Sequence, residues 1–311
     1  NTHDVVIDNN TLINCAFGEP TGEPVDIGGG DCDNIKITNN TINNSGDVAS
    51  AIWVKLGTKR VLIQGNVIDG GWAGGTDNTS KQAIQLHTDV EDVIITDNII
   101  SGYSRFTNTY QVLGVVITNN HVTCDQVGGF NSGDVIVSGN KFIQNSSSSF
   151  IFGEFATGDR QQFTNNVCYL SDTAPVGFRM QTTSVGGIFS DNTIIGGMVS
   201  FRPDGDATRV VSNLFVDAST KGITLVGSGV TVTQNTFLNC AMGLDQTAGS
   251  NGLVFTENLL RMSVSDTNLL ANFRTANGCI ARSNRVIGST GGFGGLTNWT
   301  NSLSENPLIV T

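Results

Sequence analysis

The 311-residue chain is poor in charge. Only 14% of its residues are Asp, Glu, Lys or Arg, well below the roughly 25% of an ordinary globular protein, which argues against a surface of charge-studded helices. Basic residues number 16 against 27 acidic ones, a net charge of -11. That balance excludes nucleic acid or an anionic membrane as the main partner, because both need a basic footprint. Long hydrophobic runs are missing as well: no stretch approaches the roughly 18 apolar residues of a membrane span. There is no CxxC pair, so zinc and redox chemistry have no signal. A chain of this length needs no disulfide staples. Cys15, Cys32, Cys124, Cys168, Cys240 and Cys279 are therefore expected as free, mostly buried thiols. The first residues, Asn1-Thr2-His3-Asp4, include neither Met nor a basic leader, as expected of a chain processed or cut from a longer one.

What the chain does have is 38 Gly, 33 Asn and 38% hydrophobic residues, enough for a sizeable core. The asparagines recur in a motif: Ile7-Asp8-Asn9-Asn10-Thr11-Leu12, Ile37-Thr38-Asn39-Asn40-Thr41-Ile42, Ile63-Gln64-Gly65-Asn66-Val67-Ile68, Ile95-Thr96-Asp97-Asn98-Ile99-Ile100. It continues at Asn120, Asn140, Asn166, Asn192, Asn213, Asn235, Asn258, Asn284 and Asn306, at intervals of 20 to 32 residues. An apolar residue stands three positions before each of these asparagines and another two positions after, with Ala281 the weakest case. Between them Val, Ile, Thr and Phe alternate with polar residues in short runs, the signature of strands. Each repeat reads as strand, Asn turn, short strand, Gly-rich loop and third strand. Such a unit cannot bury its apolar side alone and must stack on copies of itself as a parallel solenoid. Asn suits the corner because it tolerates the left-handed conformation, and its stacked amides can bond along the axis.

Through this repeated I-x-x-N-x-I pattern the chain resembles the right-handed parallel β-helix superfamily of pectate-lyase-like proteins, phage tailspikes and polysaccharide epimerases. The resemblance implies an all-β, right-handed single-stranded parallel β-helix of about 12 to 13 coils with an Asn ladder, spanning 1–311 as one domain. It also implies a polysaccharide partner and an extracellular setting, either secreted or on a cell or virion surface. The D-P-H-E motif of epimerases and the aspartate cluster of polygalacturonases are absent, so no residue roles carry over. Both ends fall inside a repeat, so cap domains from a longer parent chain or a homotrimer are expected to cover them.

In a parallel coil, outward side chains of equivalent strands form columns about 4.8 Å apart. Counting back eight residues from the apolar start of the following repeat aligns Lys55, His87, Gln181 and Arg202, and, with a loop one residue longer, Glu154. Two positions earlier stand Trp53, Gln85, Phe152, Arg179 and Ser200. A groove over the first eight repeats is therefore the expected site, walled by long loops at 17–24, 70–82 and 101–110. Glu154 is the candidate acid or base, Lys55 and His87 a base or substrate contact, and Arg179 and Arg202 clamps for a carboxylate or sulfate. Asp204 and Asp206 are the candidates for the second carboxylate of a glycosidase. Trp53, Trp72, Tyr103 and Tyr110 would stack on sugar rings, with Gln85 and Gln181 as further contacts. Each has a structural alternative: Trp53 as cover for a loop, Lys55 and His87 as a solvated pair, Glu154 in a salt bridge.

Asp26, Asp31 and Asp33, around Gly28-Gly29-Gly30, are oxygen donors of the kind calcium takes, or simply a polar turn. No other cofactor is expected. The pattern supports an enzyme acting on an extended, acidic glycan as a lyase or endo-glycosidase. The alternatives are a tailspike or adhesin shaft that binds glycan without cutting it, and a purely structural solenoid.

Overall fold

The architecture is given by a computed structural model, which describes residues 2–15, 23–28, 32–43, 50–71, 81–145, 151–247, 249–261, 271–274, 276–287, 293–294, 299–300, 303–304 and 308–310. These contain strands, turns and bends, and no helix long and apolar enough to cross a membrane. The chain divides into two compact units, one of residues 1–148 with 152–158 and one of residues 149–151 with 159–311. Each is a three-faced parallel β-helix.

In the first unit, the first face stacks Thr2–Asp8, Cys32–Thr38, Lys59–Gln64, Glu91–Thr96, Leu113–Thr118 and Val135–Ser138. The second stacks Thr11–Ile13, Thr41–Asn43, Val67–Asp69, the start of Ile99–Tyr110, His121–Gln126 and Lys141–Gln144. The third stacks Val25–Ile27, Ser50–Val54, Gln82–Leu86, the end of Ile99–Tyr110, Gly128–Asn131 and Gly153–Asp159. The second unit repeats the plan: its first face runs from Gln162–Thr164 to Leu303–Ser304, its second from Val167–Tyr169 to Leu308–Val310, and its third from Phe178–Val185 to Phe293–Gly294.

Strand alternation fixes the core. On the first face Ile35, Ile37, Val61, Ile63, Val93 and Ile95 point inward and are almost fully buried, each such side chain stabilising the fold by about 1.5–3 kcal/mol. In the second unit the inward position is often Phe. Phe163 stacks on Phe189 at 5.2 Å between ring centroids, and Phe215 on Phe237 at 5.2 Å. The outward positions of the first face of the first unit are largely apolar too: Val6, Lys36, Leu62, Ile94, Val116 and Ile136 line up, with Val6 and Ile94 exposed.

The Asn ladder is present in both units. In the first, Asn10, Asn40, Asn66, Asn98 and Asn120 each donate from Nδ2 to Oδ1 of the next asparagine at 2.9–3.0 Å, ending on Asn140. In the second the same bonds run from Asn166 to Asn284 at 2.9–3.1 Å. Each acceptor Oδ1 also takes the backbone N–H of the preceding asparagine in the ladder, as Asn120 takes that of Asn98 at 3.0 Å. Asn306 lies outside the described residues.

The expectation that one asparagine both turns the corner and builds the ladder is corrected. The left-handed residue is the one before the ladder position: Asn9, Asn39, Gly65, Asp97, Asn119, Asp191, Gln234 and Glu257 among them, with φ from 54° to 65°. Turning the chain there leaves the following side chain pointing inward, where its amide is shielded from water. A second left-handed corner opens the first face, at Asp4, Asn34, Arg60, Asp92, Gly114 and Asp134 in the first unit.

All six cysteines are free, and all but Cys15 are buried. Burial pushes the Cys240 thiol up to about 11 and raises those of Cys124 and Cys168 well above their ordinary value.

Two outcomes are expected. Asn120→Ala takes away the oxygen to which the buried Asn98 backbone N–H donates and removes one bond each from Asn98 Nδ2 and from the carbonyls of Ile95 and Thr118, and should cost roughly 3 kcal/mol in urea denaturation. Asn119→Gly, at the left-handed corner, should be nearly neutral, and equal losses at the two positions would contradict the division of labour. At pH 8 a disulfide reagent should label Cys15 in the native chain and the other five thiols only after denaturation; rapid native labelling of Cys124 or Cys168 would contradict their burial.

Candidate functional site

The third face carries the chemistry, and parallel register decides which side chains meet. In the first unit its outward column reads Asp26, Trp53, Gln85, Asn108, Gly129, Glu154, one residue per strand. Glu154 thus shares the column of Trp53 and Gln85, not that of Lys55 and His87 as the residue count predicts. Lys55 and His87 follow the strand ends, where their backbone N–H groups donate to Ile27 and Val54 carbonyls.

At the start of this column a charged and aromatic group assembles. Lys55 Nζ lies 2.5 Å from Asp26 Oδ2 and 4.3 Å from the Trp53 ring centroid, a cation–π contact. The His87 ring is 6.5 Å from that of Trp53, and its Nδ1 is 2.8 Å from Thr88 Oγ1. Gly28 makes the group possible, because a Cβ there would sit 2.1 Å from Lys55 Cβ. Glu23, which the sequence did not mark, belongs to the group. Burial, with help from the Asp26 charge, raises its carboxyl above the ordinary glutamate range, and Lys55 opposes the shift.

Midway along the column, Ser50 Oγ donates to Gln85 Oε1 at 2.8 Å. Gly129 leaves room for Asn108, whose Oδ1 would be 3.0 Å from any Cβ placed there. On the strand that carries Asn108, half-buried Arg105 donates from Nε and Nη2 to Gln126 Oε1 at 3.2 and 2.8 Å. Burial lowers the Arg105 guanidinium from its usual value, and the Cys124 thiol and the Glu154 carboxylate pull it back up. Glu154 therefore sits within the electrostatic reach of a cation on its own unit.

In the second unit the outward column of the third face reads Arg179, Arg202, Thr224, Asp245, Asn272. Arg202 pairs with Arg179, so Gln181 falls out of register with it. The chain takes ten residues from Arg179 to the inward Phe189 but eight from Arg202 to Val210, the residue paired with Phe189. A constant count slips by two across that corner. Asp204 is not an exposed catalytic acid. Its side chain is 1% exposed and accepts from Arg179 Nε through Oδ2 and from Arg202 Nε through Oδ1, both at 2.7 Å. One column position further on, Lys221 Nζ lies 2.5 Å from Asp245 Oδ2, and Asn272 donates to Asp245 Oδ1 at 3.0 Å.

Other expectations are revised. Residues 101–110 form no projecting loop: they belong to the strand Ile99–Tyr110, which runs from the second face to the third. Tyr103 on it is 1% exposed and part of the core, so it offers no face to a sugar. Tyr110 ends that strand opposite Asn131. Phe152 and Ser200 point inward and are fully buried. Two of the three aspartates offered for calcium are held by cations, Asp26 by Lys55 and Asp33 by Arg60. Trp72, Asp31 and most of the 17–24 and 70–82 segments lie outside the described residues. A cleft of about 350 Å³ lies on the first face, lined mainly by Asn34, Lys36, Arg60, Leu62, Asp92 and Ile94, away from the third-face column.

Residues 1–141 match the family model described as the right handed beta helix region. No curated protein matches the chain. Among solved structures, a mutant of DFA-IIIase from Arthrobacter chlorophenolicus A6 in complex with DFA-III superposes with a TM-score of 0.56 at 13% identity, over 92% of this chain and 75% of that one. The same enzyme in complex with GF2 gives 0.55 at 11% identity, over 90% and 77%. Without its lid it gives 0.54 at 14% identity, over 83% and 84%. At these identities the likeness establishes the right-handed β-helix fold and leaves the chemistry to the residues.

Asp204→Ala should leave two arginines facing each other without their carboxylate and cost about 3 kcal/mol, the low end for a broken buried ion pair because the guanidiniums reach water. Denaturant unfolding measures it, and a loss below about 1 kcal/mol would show that the pair needs no counter-charge.

Proposed function

We propose that this chain is an extracellular β-helix that binds an extended acidic polysaccharide along the third face of its first unit and cleaves it there. The observation that carries the proposal is the column from Asp26 to Glu154, in which carboxylate, indole, amides and a second carboxylate follow one another at strand spacing. The outward column of the first face, by contrast, is mostly aliphatic. A glycan offers hydroxyls to the amides and apolar ring faces to Trp53. The DFA-IIIase fold supports the scaffold, and its bound DFA-III and GF2 support a binding role for such a scaffold.

Elimination fits this column better than hydrolysis. Asp26 and Glu154 stand five strands apart, about 24 Å, far beyond the roughly 5–9.5 Å that separates the carboxylates of glycosidases. A lyase needs one base and a cation. Glu154 would take the C5 proton of a uronate and the electron pair would form the C4–C5 double bond. The O4 leaving group would depart and collect a proton, while Arg105 would stabilise the charge that develops on the sugar carboxylate. A second reading, binding without cutting as in an adhesin or tailspike shaft, is favoured by one specific observation: Asp204 and Lys55 are already engaged in ion pairs.

Incubating the chain with a panel of polyuronates and reading the absorbance of unsaturated ends tests the enzyme. Glu154→Gln should lower the rate by about 10²-fold or more, and Trp53→Ala should weaken retention in glycan affinity electrophoresis by about tenfold. An equal rate in Glu154→Gln removes it from catalysis; retention without any cleavage establishes the binding-only reading.

A further inference from the structure

We propose that the first face of the first unit is a self-complementary interface, through which two copies of this chain associate about a two-fold axis that runs along the strands between Lys59–Gln64 and Glu91–Thr96. The contact uses none of the third-face residues and is independent of the glycan reading.

The face is built like the centre of an interface. Its outward column, Val6, Lys36, Leu62, Ile94, Val116 and Ile136, has Lys36 as its single charge, and Val6 and Ile94 are 61% and 44% exposed. The neighbouring outward column, Asp8, Thr38, Gln64, Thr96, Thr118 and Ser138, carries mainly hydroxyls and amides. Six strands about 4.8 Å apart and about 20 Å long present roughly 600 Å² per copy, about 1,200 Å² for a pair, at the lower end of specific interfaces. An aliphatic strip of this extent on a polar chain marks an interaction surface.

Charge selects both the partner and the register. The strand Lys59–Gln64 opens with two cations, Lys59 and Arg60, and its neighbour Glu91–Thr96 with two anions, Glu91 and Asp92. Rotation about an axis along the strands lays each column on itself in reverse order. With the axis between these two strands, Lys59 and Arg60 of each copy face the partner's Glu91 and the partner's Asp92. An axis on either strand would set Arg60 against Arg60 or Asp92 against Asp92, which specifies against those registers. The Lys59–Glu91 pair at 2.9 Å and the pair of Arg60 with Asp33 are kept, and across the axis the two Lys59–Glu91 pairs run in opposite directions, so that signs alternate. Lys36 and Asp92 both line the first-face cleft and have no counter-ion among the described residues of their own chain. Lys36 lies over the partner's Val116 and the partner's Gly114. A Cβ at position 114 would come within 3.1 Å of Asp92 Oδ1, so glycine there keeps the way open from the lysine to the partner's Asp92. The same register sets Ile94 over the partner's Leu62 in the cleft, Gln64 over the partner's Thr96 and Thr38 over the partner's Thr118. Asp4 meets the partner's Asp134 only at the rim, where water and salt screen the repulsion.

Sedimentation equilibrium of the intact chain over a concentration series tests the interface, with circular dichroism to show that each variant is folded. The wild type should follow a monomer–dimer equilibrium. Ile94→Glu should weaken the dimer by about tenfold or more, whereas Ile99→Glu, at a site 55% exposed on the second face, should leave it unchanged. Arg60→Asp and Asp92→Arg each set like charges against one another across the axis and should weaken the dimer. The double variant restores opposite signs and should associate more tightly than either single one. Both positions are left-handed corners, with φ of 52° and 55°, so each already holds the kind of residue that the other receives. A chain that stays monomeric up to about 100 µM, or that forms trimers, overturns the proposal. So does equal weakening by Ile94→Glu and Ile99→Glu, or a double variant no tighter than the single ones.

Discussion

The amide-to-amide bond of the Asn ladder is the constraint on which the rest depends. Each ladder asparagine satisfies backbone donors and acceptors that a buried corner would otherwise strand, and it hands its Oδ1 to the amide of the preceding asparagine. A coil shifted by one residue would move its amide out of the column and leave several buried polar groups without partners, at about 1–3 kcal/mol each. The ladder therefore holds the first and second faces in strict register within each unit. Once register is held, every outward position becomes a column, and the chemistry of a face is the list of residues in that column.

The faces then divide by what they can tolerate. The first face of the first unit presents aliphatic side chains outward and is flanked by a row of left-handed Asp, Asn and Arg corners. The third face is less regular, with loops of different length feeding its strands, and it collects the aromatic, amide and charged side chains. In a chain this poor in charge most of the third-face ions are met by a counter-ion on a nearby strand: Lys55 by Asp26, Lys221 by Asp245, and two arginines by Asp204.

Much of the fold was legible because its signals are periodic. The I-x-x-N-x-I motif carries both the inward apolar positions and the ladder, and both stand where the spacing put them. The left-handed corner was misplaced by one residue, since a run such as Asn39-Asn40 does not reveal which Asn turns and which stacks; Asp97-Asn98 and Glu257-Asn258 show that only the second position is invariably Asn. The site was legible in part. Trp53, Gln85, Arg179 and Arg202 could be placed on one kind of strand, but their alignment depends on corners whose lengths differ by two residues, and hydrophobic pattern does not report corner length. In the sequence Tyr103 reads as an exposed aromatic, and Arg105 and Asn108 are overlooked, because Gly102 and a run of Ser, Thr and Asn read as a loop where one strand rounds a corner. Glu23 and the burial of Asp204 are tertiary facts with no local signature.

The third face as the working surface is the central claim, and a crystal structure of the chain soaked with an oligogalacturonate tests it most directly. The account predicts density for sugar rings along the third face of the first unit, in contact with Trp53, Gln85, Asn108 and Glu154. Density seated instead on the aliphatic first face, over Leu62 and Ile94, would contradict it.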